Sequence, residues 1–266
     1  MSELLQSEDI AREEKPENLK RVLVSIPNEG HAQVEAYSNR LVNMFSLGKI
    51  EKQGELLNEA PRFEFYFFTL GRMFTPVARE EAAEEAIKGG FDYLYMIDDD
   101  MICPDDMFTR LQKHDVDIIA PLAFTRNAPY HPVIYSSIDG WDSVTNVDYF
   151  LNNVVKNYPK DSLVECDAVG FGSALIKVDV FRKIRSVTKE PFFKSTCGTG
   201  EDIFFCYKAK KYGARVFVDT SVKLGHLTHP PVITEDFAEN YWKEIQMNPR
   251  EKQGEYKKYK HRVLLG

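Results

Sequence analysis

The 266-residue sequence is poor in cysteine, has an excess of acidic over basic side chains, and contains no long apolar run. Its four cysteines, Cys103, Cys166, Cys197 and Cys206, form no C-x-x-C pair and no zinc-ligand spacing. Four cysteines in so long a chain are no disulfide framework. They read as small buried hydrophobes in a reducing compartment. The densest apolar stretch, 91–97, falls far short of the about 18 residues that a membrane span needs. The first twenty residues are acidic and lack the apolar core of a secretory signal, so a soluble, cytoplasmic protein is expected. Lys and Arg number 34 against 41 Asp and Glu, a net charge of −7, which excludes an indiscriminate nucleic-acid coater. Two phosphate-binding signatures are also missing. No G-x-x-x-x-G-K-[ST] occurs, and the first apolar run turns through Pro27-Asn28-Glu29-Gly30 rather than G-x-G-x-x-G.

What is present suffices for a substantial core. Apolar residues make up 43% and charged residues 28%, which excludes collagen-like, low-complexity and wholly disordered chains. The length allows one large domain or two small ones at roughly 150 residues each.

Short apolar runs at 21–26, 63–70, 93–97 and 117–121 read as buried strands. Between them lie an amphipathic helix over 31–47, a helix capped by Thr75 with Pro76 in its first turn and ended by Gly89-Gly90, and a helix over 104–113. This alternation predicts right-handed βαβ units and a mostly parallel sheet covered on both faces. After Pro121 the pattern loosens. Antiparallel or mixed strands are expected at 131–137 and 166–177, a further strand at 215–218, and helices at 178–185, 202–212 and near 237–246. Residues 140–162 read as an irregular insertion. With no internal repeat and no long linker, the expected organisation is one α/β domain over 21–232, an acidic leader over 1–20, and a C-terminal helix with a basic tail over 233–266.

The third strand ends in Asp98-Asp99-Asp100. In an open α/β sheet, ligands bind beyond the carboxyl ends of the strands. Three successive carboxylates there call for compensation, and hard oxygen donors suit Mg²⁺ or Mn²⁺ carried with phosphate oxygens. A solvated acidic turn is the bland alternative. Gly198-Thr199-Gly200-Glu201-Asp202 opens a later helix, where an acidic pair serves as a dipole-complementing cap or as a general base. Arg79 reads either as a phosphate contact or as a solvated helix charge. His226 and His229 compete for one metal-binding role, with a purely structural histidine as the alternative.

Taken in order, the strand ending in Asp98-Asp99-Asp100, the Gly170-Phe171-Gly172 strand, Gly200-Glu201-Asp202 at a helix start and the late Gly225-His226 resemble the GT-A-fold glycosyltransferases. The likeness is closest to the compact family-2-like enzymes of bacteria and phages, and runs from Arg21 to His229.

The resemblance implies a metal-dependent transferase that moves a sugar from a nucleotide-diphosphate donor, a UDP-sugar by preference, to an acceptor hydroxyl. It places Asp98, Asp99 and Asp100 against the ribose and the metal–diphosphate, with Asp98 and Asp100 at the Asp-x-Asp positions. Asp100 is then the direct metal ligand, and His226 completes the metal shell. Pro27 and Asn28, with Thr69 to Arg72, meet the nucleotide base. Arg79 falls where related sequences carry an Arg-Asn pair, with Glu80 here in place of the Asn. Asp202, beside Glu201, takes the position of the base. Glycines at 170 and 172 let backbone approach the sugar or acceptor closely.

Other readings are a metal-dependent nucleotidyl- or phosphoryl-transfer enzyme, and a non-catalytic nucleotide-sugar-binding module. For the acceptor, a modified DNA base, a glycan, a lipid-linked sugar or a protein all stay open. Trp141, Tyr149, Phe150 and Tyr158 in the insertion suit either sugar stacking or lid packing. The tail at 250–262 carries six basic against two acidic residues, a local charge of +4, with Tyr256 and Tyr259 interleaved. Such a run is either a solvated face or a contact for an anionic acceptor. In a phage-encoded protein the compartment would be the host cytoplasm.

Overall fold

A computed structural model describes residues 19–28, 62–71, 73–139, 151–195, 199–227 and 233–247. The leader up to residue 18, the helix expected over 31–47, Arg72, Trp141, Tyr149, Phe150, Cys197, Gly198, His229 and the basic tail lie outside the described residues.

Two ten-residue strands, β1 (Leu19–Asn28) and β2 (Arg62–Gly71), pair in parallel, and β3 (Tyr93–Ile97) pairs in parallel on the other side of β1. Helix α1 (Thr75–Lys88) connects β2 to β3. The first turn of α1 closes on Phe74, whose carbonyl accepts from the N–H groups of Val77 and Ala78. Phe74 is therefore the cap, and Thr75 is the first helical residue, contrary to the expected Thr75 cap. At the other end Gly90 takes a φ of +67°, a conformation that glycine adopts without strain.

The next elements are β4 (Met101–Ile102), α2 (Met107–Gln112) and β5 (Ile118–Leu122). Helix α2 is shorter than the 104–113 expected, because residues 105–106 form a turn before it.

Beyond β5 come β6 (Ile134–Asp139), β7 (Leu151–Val154), β8 (Leu163–Cys166), β9 (Ala168–Val169) and β10 (Ser173–Lys177). The single strand expected over 166–177 is thus three. The chain leaves the main sheet after β8, pairs β9 with β6, and returns as β10. Nor is 140–162 wholly irregular, since β7 pairs with β6 and Tyr158 is buried in the core. Helices α3 (Val178–Val187) and α4 (Glu201–Lys211), strands β11 (Val216–Lys223) and β12 (Gly225–His226), and helix α5 (Glu235–Met247) complete the order.

The main sheet has the order β2-β1-β3-β10-β5-β11-β8. Strands β1, β2, β3, β5 and β11 run one way, and β10 and β8 run against them. Alternation along each strand separates two cores. Leu94 and Met96 of β3 face the larger one, with Ala82, Ala83 and Ala86 of α1, Phe181 of α3 and Phe205 of α4. Tyr93, Tyr95 and Ile97 face the smaller one, with Phe108 and Leu111 of α2. Each large apolar side chain so buried contributes about 1.5–3 kcal/mol. Among the described residues no helix is long and apolar enough to cross a membrane. Cys103, Cys166 and Cys206 are buried and form no disulfide, in line with their reading as small buried hydrophobes.

Candidate functional site

Because β1, β2, β3, β5 and β11 are co-directional, their carboxyl ends open onto one edge of the sheet. The register sets Ile26 beside Thr69, Pro27 beside Leu70 and Asn28 beside Gly71, so the two segments expected to meet the nucleotide base end side by side. β3 delivers Asp98, Asp99 and Asp100 to the same edge, and β11 leads into Gly225-His226. β10 starts there, since Ser173 lies opposite Ile97, and this brings in the turn of Gly170, Phe171 and Gly172. The Asp98 N–H donates to the Gly172 carbonyl at 2.9 Å, which fixes that turn against the end of β3.

Arg79 is the hub of one half of the site. It projects from α1, and its side chain is 3% exposed. Nη2 donates to Asp98 Oδ1 at 2.7 Å and to the Phe171 carbonyl at 2.9 Å, while Nη1 donates to Glu201 Oε1 at 2.7 Å. Burial works against the guanidinium charge, and the carboxylates of Asp98, Glu201 and Asp202 outweigh it and hold the pKa above its ordinary value. Arg79 is thus no solvated helix charge. Its two nearest partners respond in the same direction. Burial pushes Asp98 up to about 6, with Arg79 opposing and Asp100 and Asp202 adding to the rise. Burial also raises Glu201, with Arg79 again opposing and the Asp202 charge assisting. Asp202 opens α4 and accepts from the Phe171 N–H at 3.1 Å and from the Ile203 N–H at 2.8 Å. An aromatic stack sets this helix, with Phe205 stacked on Phe181 at 4.9 Å and on Phe193 at 4.8 Å.

The other half centres on Asp100, which is buried. His226 Nε2 lies 3.2 Å from Asp100 Oδ2, and Arg126 Nη2 lies 2.7 Å from the same oxygen. Burial pushes the Asp100 carboxyl up, but His226 and Arg126 outweigh it and hold it below its ordinary value. His226 Nδ1 faces the Phe124 carbonyl at 2.8 Å, so Nδ1 carries the proton of that hydrogen bond. In the charged ring Nε2–H donates to Asp100 Oδ2, which is how His226 lowers that carboxyl, and in the neutral ring Nε2 offers a lone pair instead. A cation can bridge the neutral-ring Nε2 and the carboxylate, and the outer hydrogen bond to a carbonyl is the usual device that orients a metal-binding imidazole.

Asp100 and His226 therefore fit a divalent cation. Among the described residues no group of three or more His, Cys, Asp and Glu side chains makes a metal cage. A cation held here takes its other ligands from phosphate and water, as Mg²⁺ commonly does.

A Cβ on Gly170 would fall 2.8 Å from Val133 Cβ, and one on Gly172 would fall 2.8 Å from Met101 Cε. On the side where a Cβ would stand, the close approach these glycines permit is to the protein's own side chains. Glu80, beside Arg79, points away from the site and accepts from the N–H groups of Phe192 and Phe193 at 2.7 and 3.0 Å. Arg126 and the Phe124 carbonyl join the site without any motif to announce them. The available signal is position alone, since Arg126 is the first cation after an apolar strand that ends on the Asp100 edge.

No protein-family model matches the sequence, and comparison with curated proteins gives no match. Solved structures do match. A197 from STIV shares 17% identity at a TM-score of 0.50, covering 81% of this chain and 91% of its own. The catalytic domain of Drosophila β1,4-galactosyltransferase 7, in complex with xylobiose, shares 14% at 0.44, covering 79% and 71%. Apo UDP-glucose pyrophosphorylase shares 11% at 0.44, covering 78% and 93%. Likeness at such identities is a likeness of fold. The chain shares the fold of A197, a mixed α/β arrangement around a seven-stranded, mostly parallel sheet.

Proposed function

We propose that the protein is a metal-dependent glycosyltransferase that uses a nucleotide-diphosphate sugar. The observation that carries this reading is the pairing of Asp100 Oδ2 with His226 Nε2 at 3.2 Å, on the sheet edge where the nucleotide-facing loops end. Asp100 and His226 hold Mn²⁺ or Mg²⁺, which supplies Lewis-acid stabilisation of the departing diphosphate. Pro27, Asn28, Thr69 and Arg72 meet the base, and Asp98 and Asp99 the ribose and diphosphate. Arg79 keeps Asp98 and Glu201 in fixed geometry at the donor site. Asp202 accepts the proton of the attacking acceptor hydroxyl, oriented for it by the Phe171 N–H. The acceptor is a glycan, a lipid-linked sugar or a modified DNA base, the last reached through the basic tail at 250–262.

The test is a thermal-shift panel of sugar nucleotides and nucleoside diphosphates with and without Mn²⁺. A ligand at about 100 times its Kd stabilises the native state by about 2.7 kcal/mol. One donor is expected to raise Tm only with Mn²⁺ present, and Asp100→Asn is expected to abolish that rise without lowering the Tm of the free protein by more than a few degrees. Asp202→Asn is expected to retain the rise while losing transfer. A metal-independent shift in the wild type, or an unchanged one in Asp100→Asn, refutes the assignment.

A further inference from the structure

Arg126 has an arrangement that the donor site does not account for. It lies on the loop between β5 and β6, and that loop is closed on itself. Phe124 bridges to Pro132, the Thr125 N–H donates to the His131 carbonyl at 2.9 Å, and the His131 N–H donates to Thr125 Oγ1 at 2.9 Å. Helix α5 grips the outer side of the loop. Trp242 Nε1 donates to the Pro129 carbonyl at 2.6 Å, and Tyr130 packs edge-on against Phe237 and Tyr241 at 5.0 and 4.7 Å. The backbone that carries Arg126 is thus firmly held, whereas its side chain is 59% exposed and reaches inward to Asp100. It meets there the same oxygen, Oδ2, that faces His226 Nε2.

That shared oxygen sets up a conflict of charge. A divalent cation bound to Asp100 sits about 2 Å from its oxygen ligand. A guanidinium nitrogen 2.7 Å from the same oxygen would then lie within about 5 Å of the ion, and the two like charges repel strongly in a partly buried site. The ion pair and a bound cation therefore compete for Asp100. The displaced guanidinium stays tethered to a fixed loop at the rim of the site. The nearest negative charge it can then find is the diphosphate that the cation brings, and a guanidinium fork matches phosphate oxygens in bidentate fashion.

We infer that Arg126 is an exchangeable cation, which neutralises Asp100 while the site is free of metal and moves to the diphosphate of a metal-bound nucleotide when the site loads. This deepens the glycosyltransferase reading and rests on it. It assigns to one residue opposite effects on the two ligands, which a merely structural arginine does not produce.

The experiment measures Mn²⁺ binding alone, by the electron paramagnetic resonance signal of free Mn²⁺. It then measures the binding of UDP, GDP, CDP and ADP by calorimetry in saturating Mn²⁺, on the full chain and on Arg126→Ala and Arg126→Lys. Arg126→Ala is expected to bind Mn²⁺ several-fold more tightly than wild type, having lost the competing charge. It is expected to bind the preferred nucleoside diphosphate about ten- to hundredfold more weakly, having lost a charge-assisted contact. Arg126→Lys falls between the two on both measurements. A variant that weakens both ligands together, or leaves nucleotide affinity unchanged, overturns the exchange while leaving the metal site standing. A wild-type protein that binds neither Mn²⁺ nor any of the four nucleotides overturns the glycosyltransferase reading itself, before any variant is compared.

Discussion

At the scale of single residues, Arg79 does most to join the site to the fold. Its guanidinium is surrounded by groups 19 and 122 positions away in sequence, Asp98 and Glu201. Reading along α1 alone leaves a phosphate contact and a solvated charge equally open, because neither partner is on that helix. The buried geometry gives Arg79 a cost if it is removed. Arg79→Met strands two carboxylates around an apolar side chain, and breaking a buried pair in this way costs about 3–5 kcal/mol. Because Asp98 is 28% exposed, water recovers part of its share, and the lower end of that range is expected. Pairing Arg79→Met with Glu201→Gln removes one stranded charge and is expected to restore about half the loss, as read from urea midpoints. Equal stability of wild type and Arg79→Met would mean that the three-way pairing carries no net weight. The glycines show the same limit of local reading. Gly170 and Gly172 stand out in the sequence as sites of close approach, and the atoms that crowd their Cβ side, which the sequence does not reveal, belong to Val133 and Met101.

At the scale of elements, the continuous apolar runs of β1, β3 and β5 and the Gly89-Gly90 stop were legible, because burial on both faces and a positive-φ glycine leave direct marks on composition, whereas the apolar run of β2 forms an edge strand that leaves Tyr66 and Phe67 exposed. The amphipathic helix α5 was legible too, but not what it does. One end of it is locked through Glu235, whose side chain is 6% exposed and is met by Lys160, Lys223 and the Tyr158 hydroxyl. Its middle turns hold the Arg126 loop through Trp242. Burial pushes the Glu235 carboxyl up, and the hydrogen bonds from Lys160, Lys223 and Tyr158 outweigh it, so the folded pKa lies below the ordinary value. A carboxyl lowered by folding contributes stability at pH above its unfolded value, and that contribution is lost as pH falls through the folded value. Acidification from about pH 6 to about pH 3 is therefore expected to release α5 before the sheet melts. The measurement is Trp242 emission in a Trp141→Phe background, followed alongside far-UV circular dichroism. Glu235→Gln is expected to show the released emission already at neutral pH. Emission that changes only together with the far-UV signal would mean that α5 has no separate latch.

At the scale of the whole molecule, the sheet order decides how the chain can be divided. Strand–helix alternation correctly suggests parallel units, and its loss after Pro121 correctly suggests an antiparallel or mixed strand over 166–177, but an apolar run such as SALIK does not say that it inserts in reverse between β3 and β5. That reversal matters, since β10 is the only described strand joining β3 to β5. It pairs with β3 from Ser173–Ile97 to Lys177–Tyr93, and with β5 through Leu175–Ile119 and Ile176–Ile118. A fragment ending at Asp139 keeps Asp98, Asp100 and Arg79 but loses the bridging strand. It also loses α3 and α4, which cover Leu94 and Met96. Both β3 and β5 would then present open edges and an uncovered apolar face, a combination that favours aggregation over folding. The fragment 1–139 is therefore expected to give no cooperative thermal transition and no Mn²⁺-dependent nucleotide binding. The full chain is expected to unfold in one step, with coincident tryptophan and far-UV signals at neutral pH. A fragment that melts cooperatively by itself would divide the chain into a donor-binding unit and an appended remainder. One shared transition makes the donor loops, the acidic pair on α4 and His226 parts of a single folding unit, so that any change reaching β10 alters both halves of the site together.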